Sequence, residues 1–186
     1  MITLKKYIDQ PVSDWSGGST RQLAIYPEDA KGADAFDFIF EITSSTMDME
    51  ETRYTIYEDY MRTLMIIDGE TTLRHADGRI HHLTPFNQCY FDGNCQTYSS
   101  GKATDYELML RKDFQGSIEM THLDGTEVIH SDRNYLGIYC FDGSCGGCRF
   151  TLAAGDQLSA YGEDDITVSG TATLMITRIK KEDFLG

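Results

Sequence analysis

Five Asp-Gly dipeptides punctuate the 186-residue chain, at Asp68-Gly69, Asp77-Gly78, Asp92-Gly93, Asp124-Gly125 and Asp142-Gly143. Glycine accepts positive φ without a Cβ clash and aspartate bonds to its own backbone in tight turns, so Asp-Gly between strand-like runs predicts hairpins. The flanks agree. "AFDFIFEIT" alternates cleanly and predicts a strand with Phe36, Phe38, Phe40 and Ile42 on one face. "RTLMII" and "ETTLRH" straddle the first dipeptide, and "GSIEMTHL" and "TEVIHS" the fourth. "TATLMITRI" is a further Thr- and Ile-rich strand. Only "SSTMDMEETRYTIYEDYM" (44–61) has a helical reading, and no Pro/Ser/Gly-rich linker divides the chain. The expectation is an all-β antiparallel meander, closed as a barrel or sandwich.

Charge narrows the partners. Thirty acidic against 16 basic side chains give a formal charge of −14, a surface that repels phosphate backbones. No basic amphipathic stretch suits a membrane surface, and no apolar run approaches the ~20 residues of a bilayer span. We therefore expect neither nucleic acid nor membrane as a partner. The five cysteines are an odd count, and "MITLKKYIDQ" has no apolar core of a secretory leader, so the expected setting is the reducing cytoplasm.

Several stretches could carry chemistry. "DWSGGSTRQ" (14–22) joins the single tryptophan to two glycines, two hydroxyls and an arginine, but "LAIYP" follows it. A phosphate loop feeds a helix, whereas this one feeds a strand, so the glycines are expected to bend the chain while Trp15 closes a barrel end. A ligand-facing role for Trp15, Thr20 or Arg21 is the alternative. Arg62 heads a strongly apolar strand and cannot shed its charge, so it requires either an internal carboxylate or that of a ligand. Cys145-x-x-Cys148 lacks the second pair a structural zinc site requires and is expected to be a hairpin with incidental thiols. His81 and His82 are neighbours and point to opposite faces of a strand, so only one of them, or His75, can join a distant partner. Histidines at strand edges are the expectation, with no metal and no cofactor. "CYFDGNC" (89–95) and "YCFDGSC" (139–145) form a faint internal echo.

"WSGGSTRQLAIYPED", "FIFEITSSTM", "RTLMIIDGETTL" and "FDGNCQTYSSGKATDYELMLRKDFQGSIE" together resemble the HutD/Ves family in its short Gram-positive form. The likeness covers roughly residues 12–120; beyond it only general features such as "LAAGDQLSAYG" match. The resemblance implies a bicupin: two double-stranded β-helix barrels in one chain, without the usual cupin metal ligands. The expected domains are 1–115 and a smaller 116–186, packed as one unit with strands possibly exchanged. It also implies a regulatory or metabolite-sensing role, some members lying in histidine-utilisation gene clusters. The shared positions are Trp15, Gly17, Gly18, Thr20, Arg62, Phe91, Asp92, Gly93, Thr104, Asp105, Leu108 and Met109, with Arg21 fitting one variant. Two departures matter: Glu107 stands where the family often has an amide, an acid able to neutralise the arginine internally, and the aromatic-rich approach to the arginine is altered to "RYTIYEDYMR".

These readings combine into a metal-free protein binding a small acidic metabolite. Arg62 supplies charge, Trp15 and Phe91 apolar walls, and Thr20, Asp92 and Asp105 hydrogen bonds; Arg21 and Met109 complete the expected site. The alternatives are a cupin-type enzyme, a metal-assisted isomerase or oxygenase, and a partner-binding protein with an occluded barrel. A homodimer is a further expectation.

Overall fold

β-branched and aromatic residues alternate with polar ones along most of the chain, and the backbone follows that pattern into strands. The computed structural model describes residues 1–32, 35–131, 134–162 and 165–181. Among them are sixteen strands and one short 3-10 turn, Tyr7–Asp9. The strands are β1 (Ile2–Lys5), β2 (Val12–Trp15), β3 (Gly18–Tyr26), β4 (Phe40–Met47), β5 (Glu51–Arg53), β6 (Tyr60–Gly69), β7 (Thr71–His75) and β8 (Ile80–Leu83). There follow β9 (Gln88–Asp92), β10 (Thr97–Ser100), β11 (Ala103–Arg111), β12 (Phe114–Ile129), β13 (Tyr135–Gly147), β14 (Phe150–Ala153), β15 (Gln157–Tyr161) and β16 (Ile166–Lys181). No helix among the described residues is long and apolar enough to cross a membrane.

The chain divides into two compact units, one of residues 11–112 and one of residues 1–10 with 113–186. This differs from the expected 1–115 and 116–186, because β1 pairs antiparallel with β15 and so joins the C-terminal unit. That unit holds one sheet of order β1-β15-β13-β16-β12, with β14 on β13. Its core is a cluster including Leu136, Ile138, Leu158 and Leu174, all fully buried. The unit of residues 11–112 holds two sheets, β5-β10-β7-β8 and β2-β3-β4-β11-β6-β9. Leu64, Ile66 and Phe91 of the larger sheet meet Leu73 and Leu83 of the smaller in one buried cluster. Apolar burial of this kind, roughly 25 cal/mol per Å², holds the two sheets together.

The Asp-Gly positions depart from the hairpin expectation. Only Asp77-Gly78 closes a hairpin between paired strands, β7 and β8. Asp68-Gly69 and Asp92-Gly93 stand where the chain leaves the larger sheet for the smaller. Asp124-Gly125 lies inside β12, which pairs without a break along β16. Asp142-Gly143 sits inside β13 beside a register shift at Cys140/Asp142, the mark of a β-bulge. Gly125 and Gly143 both have positive φ, so the glycine requirement was read correctly and its setting was not.

Two other expectations are corrected. Phe38, Phe40 and Ile42 are buried, but β4 starts at Phe40, and Phe36 is exposed with φ 54°. The 44–61 segment is no helix: it ends β4, contains β5 and starts β6. Its Tyr54 and Tyr57 amides donate instead to the carbonyls of Thr97 and Gly93.

Candidate functional site

In an ordinary half-buried strand the polar positions face water. Here β4 and β11 bury both faces. Glu41 and Thr43 on β4, and Asp105 and Glu107 on β11, are all at most 5% exposed. With Ser45, Met47, Met109 and, from β3, Thr20 and Gln22, these alternate positions turn inward on a cavity of about 610 Å³. That is within the usual range for small-molecule sites. Tyr54, Thr55, Tyr57, Lys31 and Arg53 also line it, and all of these residues belong to the 11–112 unit.

Arg62 stands at its centre. The guanidinium donates from Nε to Glu107 Oε1 at 2.5 Å and from Nη2 to Oε2 at 2.9 Å, a two-pronged ion pair. Nη1 donates to the Thr55 carbonyl at 3.2 Å. Its Cζ lies 4.7 Å from the Tyr54 ring centre, 5.6 Å from that of Tyr57 and 5.5 Å from that of Phe91. Burial works against the charge, but the adjoining Glu107 carboxylate outweighs it and keeps the group protonated. An arginine has five N–H donors. Glu107 and Thr55 engage three of them among the described residues, which leaves two.

Asp105 is placed by a register shift between Thr104 and Asp105 against β6. Its Oδ1 accepts from the Ser45 amide at 2.9 Å. Burial, with the Glu107 carboxylate close by, pushes this carboxyl well above the usual carboxylate range. Such a carboxyl holds its proton to higher pH than an ordinary one and, when protonated, is a hydrogen-bond donor. Counted as ionised, Lys31, Arg53 and Arg62 balance Glu41, Asp105 and Glu107 in the lining, and a proton on Asp105 leaves one positive charge in excess. The chain as a whole carries −14.

The "DWSGGSTRQ" segment is the β2–β3 hairpin, with Trp15 paired to Gly18 across Ser16-Gly17. A Cβ on Gly17 would collide with Trp15 Cζ3, and one on Gly18 with the Thr46 carbonyl. The first glycine lets the indole fold back, and the second lets β3 approach β4. Trp15 Nε1 then donates to Thr20 Oγ1 at 3.1 Å, and Thr20 shares a 2.9 Å hydrogen bond with Ser45. A polar chain thus runs from the tryptophan to the Asp105 site.

Of the expected site residues, Trp15, Thr20, Arg62, Asp105 and Met109 come together on the cavity. Arg21, Phe91 and Asp92 do not line it. Arg21 alternates to the other face of β3 from Thr20 and Gln22. Phe91 is buried behind Arg62, between that guanidinium and the His75 ring, whose centre lies 5.0 Å away. Asp92 is half-buried, pairing with Lys112 Nζ at 2.9 Å and accepting from the Asn94 amide, so it does not orient the arginine. Cys148 is exposed and Cys145 buried, at the β13–β14 hairpin. Missed were Glu41, Thr43, Tyr54 and Tyr57; a polar residue at every second position of "FEITSSTM" was the available signal.

Antiparallel sheets enclosing a ligand-sized polar cavity define an all-β protein of the cupin-like class. A bacterial pirin from Escherichia coli in complex with nickel(II) matches at a TM-score of 0.69 and 11% identity, over 97% of this chain and 100% of that one. The chain belongs to the HutD family, whose model matches residues 7–176. HutD from Pseudomonas fluorescens SBW25 is similar at a TM-score of 0.80, 18% identical over 98% of this chain and 100% of its own. A conserved protein of unknown function from Pseudomonas aeruginosa PAO1 reaches 0.84, also 18% identical, over 97% and 100%. No curated protein matches the sequence. The cavity offers no imidazole or thiolate to a metal: its lining includes no histidine or cysteine, and both Glu107 oxygens are committed to the guanidinium.

Proposed function

We propose that the chain binds a small carboxylate-bearing metabolite in the Arg62 cavity and acts as a regulatory sensor in amino-acid, specifically histidine, utilisation. The observation that carries this is the buried, ring-flanked Arg62, clamped by Glu107 yet holding two further N–H donors beside a cavity of about 610 Å³. Glu107 fixes the guanidinium rather than exhausting it. A guest carboxylate takes the remaining donors, and protonated Asp105 and the Thr20 hydroxyl supply further hydrogen bonds. With a proton on Asp105 the lining has one positive charge in excess, which favours a monoanion over a dianion. The family supports the regulatory part of the reading. The same reading takes the two compact units as two double-stranded β-helix barrels, each with its own buried core.

A thermal-shift screen of small mono- and dicarboxylates tests the proposal. Monocarboxylates should give the larger positive shifts, and Thr20→Val should shrink them. A panel with no positive shift, or shifts indifferent to the Thr20 hydroxyl and to ligand charge, would count against the site.

A further inference from the structure

Behind Phe91, three donors that the Arg62 cavity does not use converge: His75 on β7, His81 on β8 and Cys89 on β9. One ligand atom from each lies within 4.8 Å of the other two, with His75 and Cys89 buried. The Asp77-Gly78 hairpin brings His81 back beside His75, and their ring centres are 5.4 Å apart. We propose that these residues form a binding site for a transition-metal ion of the zinc class, with a fourth position open to water or an exogenous ligand.

Three observations carry the assignment. His75 Nε2 and Cys89 Sγ are 3.7 Å apart. Tetrahedral zinc, with bonds of about 2.05 Å to nitrogen and 2.3 Å to sulfur, holds such a pair about 3.6 Å apart. Proton accounting also fixes the tautomer of His75. The Thr97 hydroxyl donates its single hydrogen to the Cys95 carbonyl at 3.0 Å, so it must accept from His75 Nδ1 at 2.8 Å. His75 Nε2 therefore presents a lone pair to the cluster. A ligating histidine is held by its second nitrogen in this same way. Finally, His81 Nε2 is buried with no hydrogen-bond partner among the described residues. A buried imidazole nitrogen without a partner is costly, and a metal removes that cost. Two imidazoles and one thiolate are a borderline-soft set, suited to zinc and ill suited to magnesium or calcium. Arg79 pairs through Nε with Asp77 Oδ2 at 2.7 Å, and its charge still reaches His75 and Cys89.

The test is titration of the full chain, purified metal-free, with Zn²⁺ and with Co²⁺ as spectroscopic probe. One ion per chain should bind, with a near-ultraviolet thiolate-to-cobalt charge-transfer band and the intense visible bands of tetrahedral Co²⁺. Cys89→Ser should abolish the charge-transfer band, and His81→Ala should weaken binding at least about 100-fold. Thr97→Val, which leaves all three ligands in place, should weaken it about 10–100-fold. Absence of stoichiometric uptake by the unsubstituted protein would overturn the proposal. So would a charge-transfer band that survives Cys89→Ser, which would place the metal at one or more of the four other thiols.

Discussion

Arg62 and Glu107 balance each other in the 11–112 unit, and neither tolerates the loss of its partner. Arg62→Ala leaves a carboxylate 4% exposed with no cation beside it, and breaking a buried pair in this way costs about 3–5 kcal/mol. Arg62→Met with Glu107→Gln removes both charges and should lose much less, a difference readable from urea midpoints of the two variants. Asp105 makes a prediction of opposite kind. Its folded carboxyl holds a proton that the unfolded chain releases, so stability falls as pH rises from the ordinary carboxylate range through the raised value. Asp105→Asn, an isostere of the protonated acid that still accepts from the Ser45 amide, should flatten that decline. A wild-type melting temperature no lower at pH 8 than at pH 5 would contradict this assignment. At this scale the sequence was informative about Arg62, because a charge heading an apolar strand demands a partner. It also exposed Glu107, because an acid there departs from the family's amide. It misplaced Asp92, whose partner Lys112 lies twenty positions away and left no local trace.

Polar residues at alternate strand positions ordinarily mark a solvent face. In "FEITSSTM" and "DYELM" the polar row turns inward and the apolar row of Phe40, Ile42, Tyr106 and Leu108 is buried as well. Periodicity reports that two faces differ; it does not report which one meets water, and that is why Glu41 and Thr43 escaped notice. The Asp-Gly turns failed for a related reason, since a positive-φ glycine serves a hairpin, a sheet-to-sheet corner or a bulge equally well. The opening hairpin is where local chemistry decided the structure. Gly18, at φ 156° with the Thr46 carbonyl in the space of a Cβ, should tolerate alanine poorly, at a cost of about 1–3 kcal/mol. Gly17→Ala should displace the indole and shift Trp15 fluorescence, the only tryptophan signal the chain has. An unchanged emission maximum would sink this account of the loop.

Across the whole chain a charge of −14 sets a like-charge field that opposes compaction. Raising ionic strength from about 10 to about 150 mM screens that field, so the melting temperature should rise; a fall would mean that attractive pairs dominate instead. Within this acidic protein the Arg62 cavity is a local exception, its three cations matching its three carboxyls. The all-β character was legible from the strand-like runs, and the cupin-like character from the family resemblance. The placement of β1 with the C-terminal unit was not, because strand partnership over some 155 residues depends on edge complementarity rather than on any local signal. The most direct test is calorimetric titration of the best carboxylate from the screen into the wild-type chain and into the Arg62→Met, Glu107→Gln pair. One site per chain, with affinity about tenfold or more weaker in the double variant, is the predicted result. Equal affinity in both proteins would contradict it.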